Sequence, residues 1–301
     1  WSSDVCSSDL NSNGFSYGVA GDVTNNSNLV GWAWKAGGQI GVGRSFMIND
    51  IGYSTASAAG LTAGTITPTG ASVNTKSGFS IVSFTSDSST NIFSVSHGLS
   101  NTPKFVIVKS RDNGVAPWYV YHSSLATDNY LRLNGTNATT SDGANQWGNG
   151  MTSSVIGLRA GYTTVASTNT IAYCWAEIPG FSKFGSWTNN NSTDGTFVQT
   201  SFRPKIILLK NTDNVEQWFI FDSTRRTYNV AYTAAANELR PNSSAAEGAY
   251  TLIVTIDFLS NGFKIRGDTT SEISFGTRSY IYAAFAETPS INLYGAQANA
   301  R

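Results

Sequence analysis

The chain is short of the residues from which catalytic and metal sites are usually built. Its 301 residues include two histidines and two cysteines. Cys6 lies in a Ser-rich N-terminal stretch and Cys174 in an apolar run, so no disulfide framework is available to hold the fold. His97 and His122 have no cysteine or histidine cluster around them, which excludes the usual zinc spacings; no EF-hand spacing for calcium is present either. A Gly-Val-Gly-Arg run at 41–44 lacks the glycine spacing and the strand-to-helix context of a phosphate loop. Metal and cofactor are therefore both expected to be none. Charge is sparse at 13%, with a formal net charge of zero. That argues against nucleic acid as a partner, since such a grip needs a basic surface to displace counterions. No apolar run reaches the ~20 residues of a membrane helix, so membrane insertion is not expected.

What the chain has is aromatic and turn-forming residues. Aromatics make up 12%, and Gly, Ser, Thr and Asn fill the gaps between short apolar runs. This mix suits an all-β protein stabilised by burial of aromatic and β-branched side chains.

The organising stretch is IAYCWAEIPGFSKFG at 171–185. Its first half returns as IYAAFAETP at 281–289 and, more weakly, as VGWAWKA at 30–36. Other runs return in the same order, about 100 residues on. KFVIVK at 104–109, after Pro103, is answered by KIILLK at 205–210, after Pro204. The turn residues Asp112 and Asn113 are answered by Asp213 and Asn214, and WYVY at 118–121 by WFIF at 218–221. The drift in spacing sits in polar loops, where insertions are tolerated. Strand-length runs with turn signals every 8–12 residues indicate β-sandwiches, jelly-roll-like in character.

The expected organisation follows from these matches. Residues 1–10, WSSDVCSSDL, correspond to the translation of a common DNA-sequencing adapter; they are set aside as a processing scar and expected to make few contacts. Residues 11–40 read as the C-terminal remnant of a truncated β module, with a strand over 30–36. Residues 41–74 read as a linker, with a short helix over 54–61. Residues 75–180 and 181–290 are the two sandwich repeats, and 291–301 are a C-terminal tail.

Candidate functional residues are few. Trp147 and Trp187 lie in or beside polar loops, where an exposed indole could stack on a sugar. Trp118 and Trp218 sit in the repeated strand and read as core. His97 and His122 read as loop or surface histidines, and His122 corresponds to Asp222. Glu177 and Glu287 recur at equivalent positions but close strands of separate modules, so they are not a visible glycosidase dyad. Strand parity suggests another use for them. Phe105, Ile107 and Lys109 share one strand face, and so do Tyr173, Trp175 and Glu177. Ile206, Leu208 and Lys210 stand against Ala283, Phe285 and Glu287 in the same way. Each charge ends an apolar stripe, where a lone ion is costly, so the expectation is a structural ion pair in each module, Lys109 with Glu177 and Lys210 with Glu287.

The motifs HGLSNTPKFVIVKSRDN…WYVYH, IAYCWAEIPGFSKFGSWTNNNSTDGTFV, FRPKIILLKNTDN…WFIFDSTR and IYAAFAETP resemble a repeat domain of unknown function in tail and tail-fibre proteins of marine tailed bacteriophages. The resemblance covers nearly everything after residue 10. It implies a non-enzymatic structural protein of the virion, extracellular in setting. Its implied partners are other tail proteins, with a host surface glycan as a candidate contact and a homo-oligomer as a candidate state. It transfers no catalytic residue. The alternatives are a jelly-roll carbohydrate-active enzyme and a cellular secreted adhesin.

Overall fold

The computed structural model describes residues 9–11, 14–16, 30–38, 43–89, 91–141, 143, 145–225, 229, 238–247, 255–266, 273 and 276–287. The chain falls into two compact units, Trp1–Trp34 and Lys35–Arg301. In the first, β1 (Asp9–Asn11) and β2 (Gly14–Ser16) form an antiparallel hairpin with Leu10 opposite Phe15. Residues 1–8 of the adapter-like stretch and the 291–301 tail lie outside the described residues. The strand expected over 30–36 is not formed. Alternation is present, with Trp32 and Trp34 half-buried between exposed Gly31, Ala33 and Lys35, but no ladder pairs it. Backbone groups of Lys35 and Gly37 bond to turns and hydroxyls instead: Asp50 N to Gly37 O at 2.7 Å, Gly37 N to Ser72 Oγ at 3.0 Å and Ser77 Oγ to Lys35 O at 2.8 Å.

The second unit holds two β-sandwiches, and the described residues are all-β. The first sandwich is built from β3 (Phe46–Ile48), β4 (Ile51–Tyr53), β5 (Gly70–Asn74), β6 (Phe79–Thr85), β7 (Ile92–Ser96), β8 (Pro103–Ser110), β9 (Tyr119–His122), β10 (Leu131–Arg132), β11 (Val155–Arg159) and β12 (Asn169–Ala176). One sheet runs β10-β9-β8-β12-β6-β5-β3-β4, and the β11–β7 pair covers its inner face. The second sandwich uses β13 (Ser182–Thr188), β14 (Asp194–Gln199), β15 (Ile206–Asn211), β16 (Trp218–Asp222), β17 (Thr255–Leu259), β18 (Gly262–Arg266) and β19 (Ser279–Phe285). Its sheets run β13-β19-β15-β16 and β14-β18-β17.

The expected linker, residues 41–74, is corrected: it supplies β3, β4 and β5, three strands of the eight-stranded sheet. β3 and β4 are joined by Asn49 and Asp50 alone, both left-handed at φ 50° and 68°. That is the two-residue hairpin turn whose twist matches the strands. The expected helix over 54–61 is a series of turns closed by Ala59 N to Thr55 O at 3.1 Å and Leu61 N to Ala56 O at 2.8 Å.

Period-two alternation sorts each central strand into two faces. Val82, Phe84, Val106, Val108, Ala172 and Cys174 point into the first core, and Ile207, Leu209, Phe219, Phe221, Tyr282 and Ala284 into the second. The opposite faces are also apolar, and they meet between the sandwiches. Phe105 stacks on Phe184 with centroids 5.9 Å apart, and Phe184 meets Phe285 edge-on at 5.6 Å. Polar bonds seal this contact: Trp218 Nε1 donates to Arg132 O at 2.8 Å, Thr139 N to Thr212 O at 2.9 Å and Glu216 N to Thr136 O at 2.9 Å. Strands buried on both faces read as continuous apolar runs, which is why KFVIVK and KIILLK look alike.

The two sandwiches share a strand order, β9-β8-β12-β6 in one and β16-β15-β19-β13 in the other. Small hydrogen bonds recur with it. Trp118 N donates to Asn134 Oδ1, and Trp218 N to Asn242 Oδ1, both at 3.0 Å. Asn169 N donates to Asp112 Oδ2, and Ser279 N to Asp213 Oδ2, both at 2.7 Å.

Candidate functional site

The residues singled out in the sequence are not brought together, and each is already used by the fold. Trp147 is fully buried; its Nε1 donates to Asn129 O at 2.9 Å and its ring meets Tyr121 edge-on. Trp187 is buried against Tyr280, with ring centroids 4.8 Å apart, and donates to Asn189 Oδ1 at 2.9 Å. Neither indole can stack on a sugar. The polar loops around them lie over apolar floors, and the rings fill those floors.

The two expected ion pairs are also corrected. β12 runs antiparallel to β8, with Ile171 opposite Lys109 and Ala176 opposite Pro103. Lys109 and Glu177 both sit at C-terminal strand ends, so antiparallel pairing sends them to opposite ends of the sheet, about 20 Å apart at ~3.4 Å per residue. Lys210 lies opposite Ile281, and Phe285 opposite Ile206, so Glu287 is separated from Lys210 in the same way. Parity speaks only of faces, and strand direction decides the end. Lys109 Nζ instead donates to three loop carbonyls, Asn113 O at 2.9 Å, Gly114 O at 3.3 Å and Ala116 O at 2.6 Å. Glu177 Oε2 accepts from Phe184 N at 3.3 Å, and Glu287 pairs with Lys205 at 3.5 Å. Lys210 is fully buried and donates to Asn211 O at 2.8 Å. Burial lowers its ammonium to about 8, opposed by the nearby Glu216 carboxylate.

These partners predict a contrast. Lys109→Met should cost about 1–3 kcal/mol, because it strands carbonyls the ammonium now serves. Glu177→Gln should cost under about 1 kcal/mol, since an exposed carboxylate contributes little. Urea unfolding of both variants checks this; equal losses would restore the paired reading.

The histidines are not surface residues. His97 and His122 are both fully buried, with closely matching hydrogen bonds. Nδ1 of each accepts a backbone N–H two residues on, from Leu99 and Ser124 respectively, both at 3.1 Å. This fixes the neutral tautomer with the proton on Nε2. That proton goes to Thr152 O at 3.1 Å for His97 and to Tyr282 O at 3.0 Å for His122. Burial lowers both rings to about 4, opposed by these carbonyl bonds. In the second sandwich Asp222 stands where His122 stands, and its Oδ1 accepts from Thr224 N at 3.1 Å. The shared task is capping a turn. Cys174 is fully buried, and its thiol is pushed up to about 12 by burial, so it is not a nucleophile. Among the described residues, no three His, Cys, Asp or Glu side chains form a group able to hold a metal ion.

A cleft of about 440 Å³ does open at one end of the first sandwich. It lies between the turns after β4, the chain leaving β7 and the Ser153–Ser154 turn. Ile48, Leu61, Ser96, Gly98 and Ser100 are among its walls. No sequence pattern signals it, because its walls come from a segment read as a linker and from unremarkable serines.

A family model described as "Domain of unknown function (DUF7483)" matches residues 3–289. The match runs through both sandwiches and takes in residues 3–10 of the adapter-like stretch. No curated protein and no solved structure matches the chain.

Proposed function

Since the chain belongs to the DUF7483 family of domains of unknown function, we propose that it is a non-catalytic structural part of a tailed-phage particle, a tail fibre or tail-associated protein. The observation that carries this reading is the use made of its ionisable groups. Both histidines have each ring nitrogen bound to backbone, Asp112 and Asp213 make matching bonds to backbone, and Asp222 caps the turn that His122 caps in the first sandwich. Lys109 caps a hairpin loop. These groups hold shape, and none is presented to a substrate.

We read the two sandwiches as copies of one module. Their common strand order and the recurring Trp–Asn and Asp–backbone bonds support this. The modules dock through apolar sheet faces, which gives a continuous block suited to bearing load in a particle. The motif resemblance to phage tail proteins supplies the setting, with other tail proteins as partners.

Antibodies raised against the expressed chain test the proposal. Immunogold labelling of phage particles encoding it should decorate the tail. Label on the host cell envelope, with bare particles, would support a cellular adhesin instead and overturn the particle assignment.

A further inference from the structure

We propose that the cleft at the end of the first sandwich is a binding site for an uncharged, hydroxyl-bearing ring, of the class of a neutral mono- or disaccharide. Its volume of about 440 Å³ falls within the range of small-ligand pockets. The floor is apolar, from Ile48, Ala59 and Leu61, and would take the C–H face of such a ring. The polar groups on the walls are hydroxyls and one amide, with no charged side chain among the lining residues. A phosphate, carboxylate or ammonium would therefore enter without a counter-charge, and its lost hydration would not be repaid. A neutral polyol would find donors and acceptors of its own kind.

The walls are built before a ligand arrives. Asn49 Oδ1 accepts from Thr75 N at 2.9 Å, and Asn49 Nδ2 donates to Thr75 Oγ1 at 3.0 Å. Ser96 is 2% exposed and its Oγ accepts from Gly64 N at 3.1 Å, which leaves its own proton to be given. Ser100 and Ser153 are exposed at the rim, and neither side chain has a hydrogen-bond partner among the described residues. Ser100 is also left-handed at φ 63°, a conformation that costs a non-glycine residue and recurs at ligand-holding positions. Pre-set walls lower the ordering cost of binding.

The site deepens the particle reading above, because a neutral sugar is what a tail protein could meet on a host surface. Saturation-transfer NMR on the full chain tests it, with maltose, lactose and cellobiose as probes and glucose 6-phosphate and N-acetylneuraminic acid as charged controls. At least one neutral sugar should bind, with Kd on the order of millimolar. Ala63→Trp places an indole in the cleft from an exposed position and should weaken that binding about tenfold or more. Ser96→Ala should weaken it with the fold intact by circular dichroism. Failure of all three neutral sugars, binding unchanged in Ala63→Trp, or equal binding of the charged controls would each overturn the proposal. If tail labelling persists while no sugar binds, the cleft assignment fails and the particle assignment stands.

Discussion

Lowering the pH from about 8 to about 4 should remove about 3 kcal/mol of folding stability for each of His97 and His122. Both rings are neutral in the folded protein and titrate near 4, against 6.5 for an ordinary histidine. A depressed histidine means that the unfolded chain binds the proton more readily. Stability is therefore complete above about 6.5 and falls as the pH drops toward about 4. The structural cause is specific. Nδ1 of each ring accepts a backbone N–H, so a proton there would set two donors face to face. For His122 the loss falls on the contact between sandwiches, where its Nε2 bonds Tyr282 O. The carboxylates Asp87 and Asp194 are held below 3.8 by their hydrogen-bond partners and titrate under this window. Urea unfolding across the pH series checks the slope. His122→Asn, which can still accept from Ser124 N, should flatten it by about half; a slope unchanged by that substitution would refute the assignment.

Trp218→Ala should cost about 3–5 kcal/mol, the range for removing a large buried aromatic. The indole is 1% exposed, and its Nε1 serves Arg132 O across the inter-sandwich contact. Removal opens a cavity and also takes from that carbonyl one of its two donors, the other being Gly135 N at 3.1 Å. Trp118 is the matching residue of the first sandwich, but it is half-buried and stacks on Tyr173 with centroids 6.5 Å apart. Trp118→Ala should cost less than half as much. Denaturant midpoints of the two variants decide the matter, and equal losses would mean that Trp218 does not join the sandwiches.

The fold was legible where the chain alternates or runs apolar for long enough. The β8 and β15 runs, their partners β9 and β16 and the closing strands β12 and β19 all stand out in the sequence as apolar runs of strand length, and the structure pairs them. Two kinds of information were missing. The first was strand direction: parity placed Lys109 and Glu177 on one face, but only the antiparallel register sets them at opposite ends. The second was weight in short elements. β3 and β4 are three residues each, too short for periodicity to register. The Asn49–Asp50 turn was the available signal, since this pair tolerates left-handed backbone.

For the candidate site, residue type misled. A tryptophan among polar loop residues suggests exposure, yet Trp147 and Trp187 lie beneath those loops. Histidines at strand ends suggest surface, yet both are turn caps in the interior. The cleft is made of serines, glycines and an asparagine brought together by the β3–β5 addition, and no local pattern marks such residues in advance.

The two sandwiches form one structural block, sealed by Phe105, Phe184, Trp218 and His122. Scanning calorimetry of the full chain at neutral pH reads this cooperativity out. One main transition is expected, with calorimetric and van't Hoff enthalpies in agreement, splitting in two in Trp218→Ala. Two separate transitions in the unaltered protein, one for each sandwich, would contradict it.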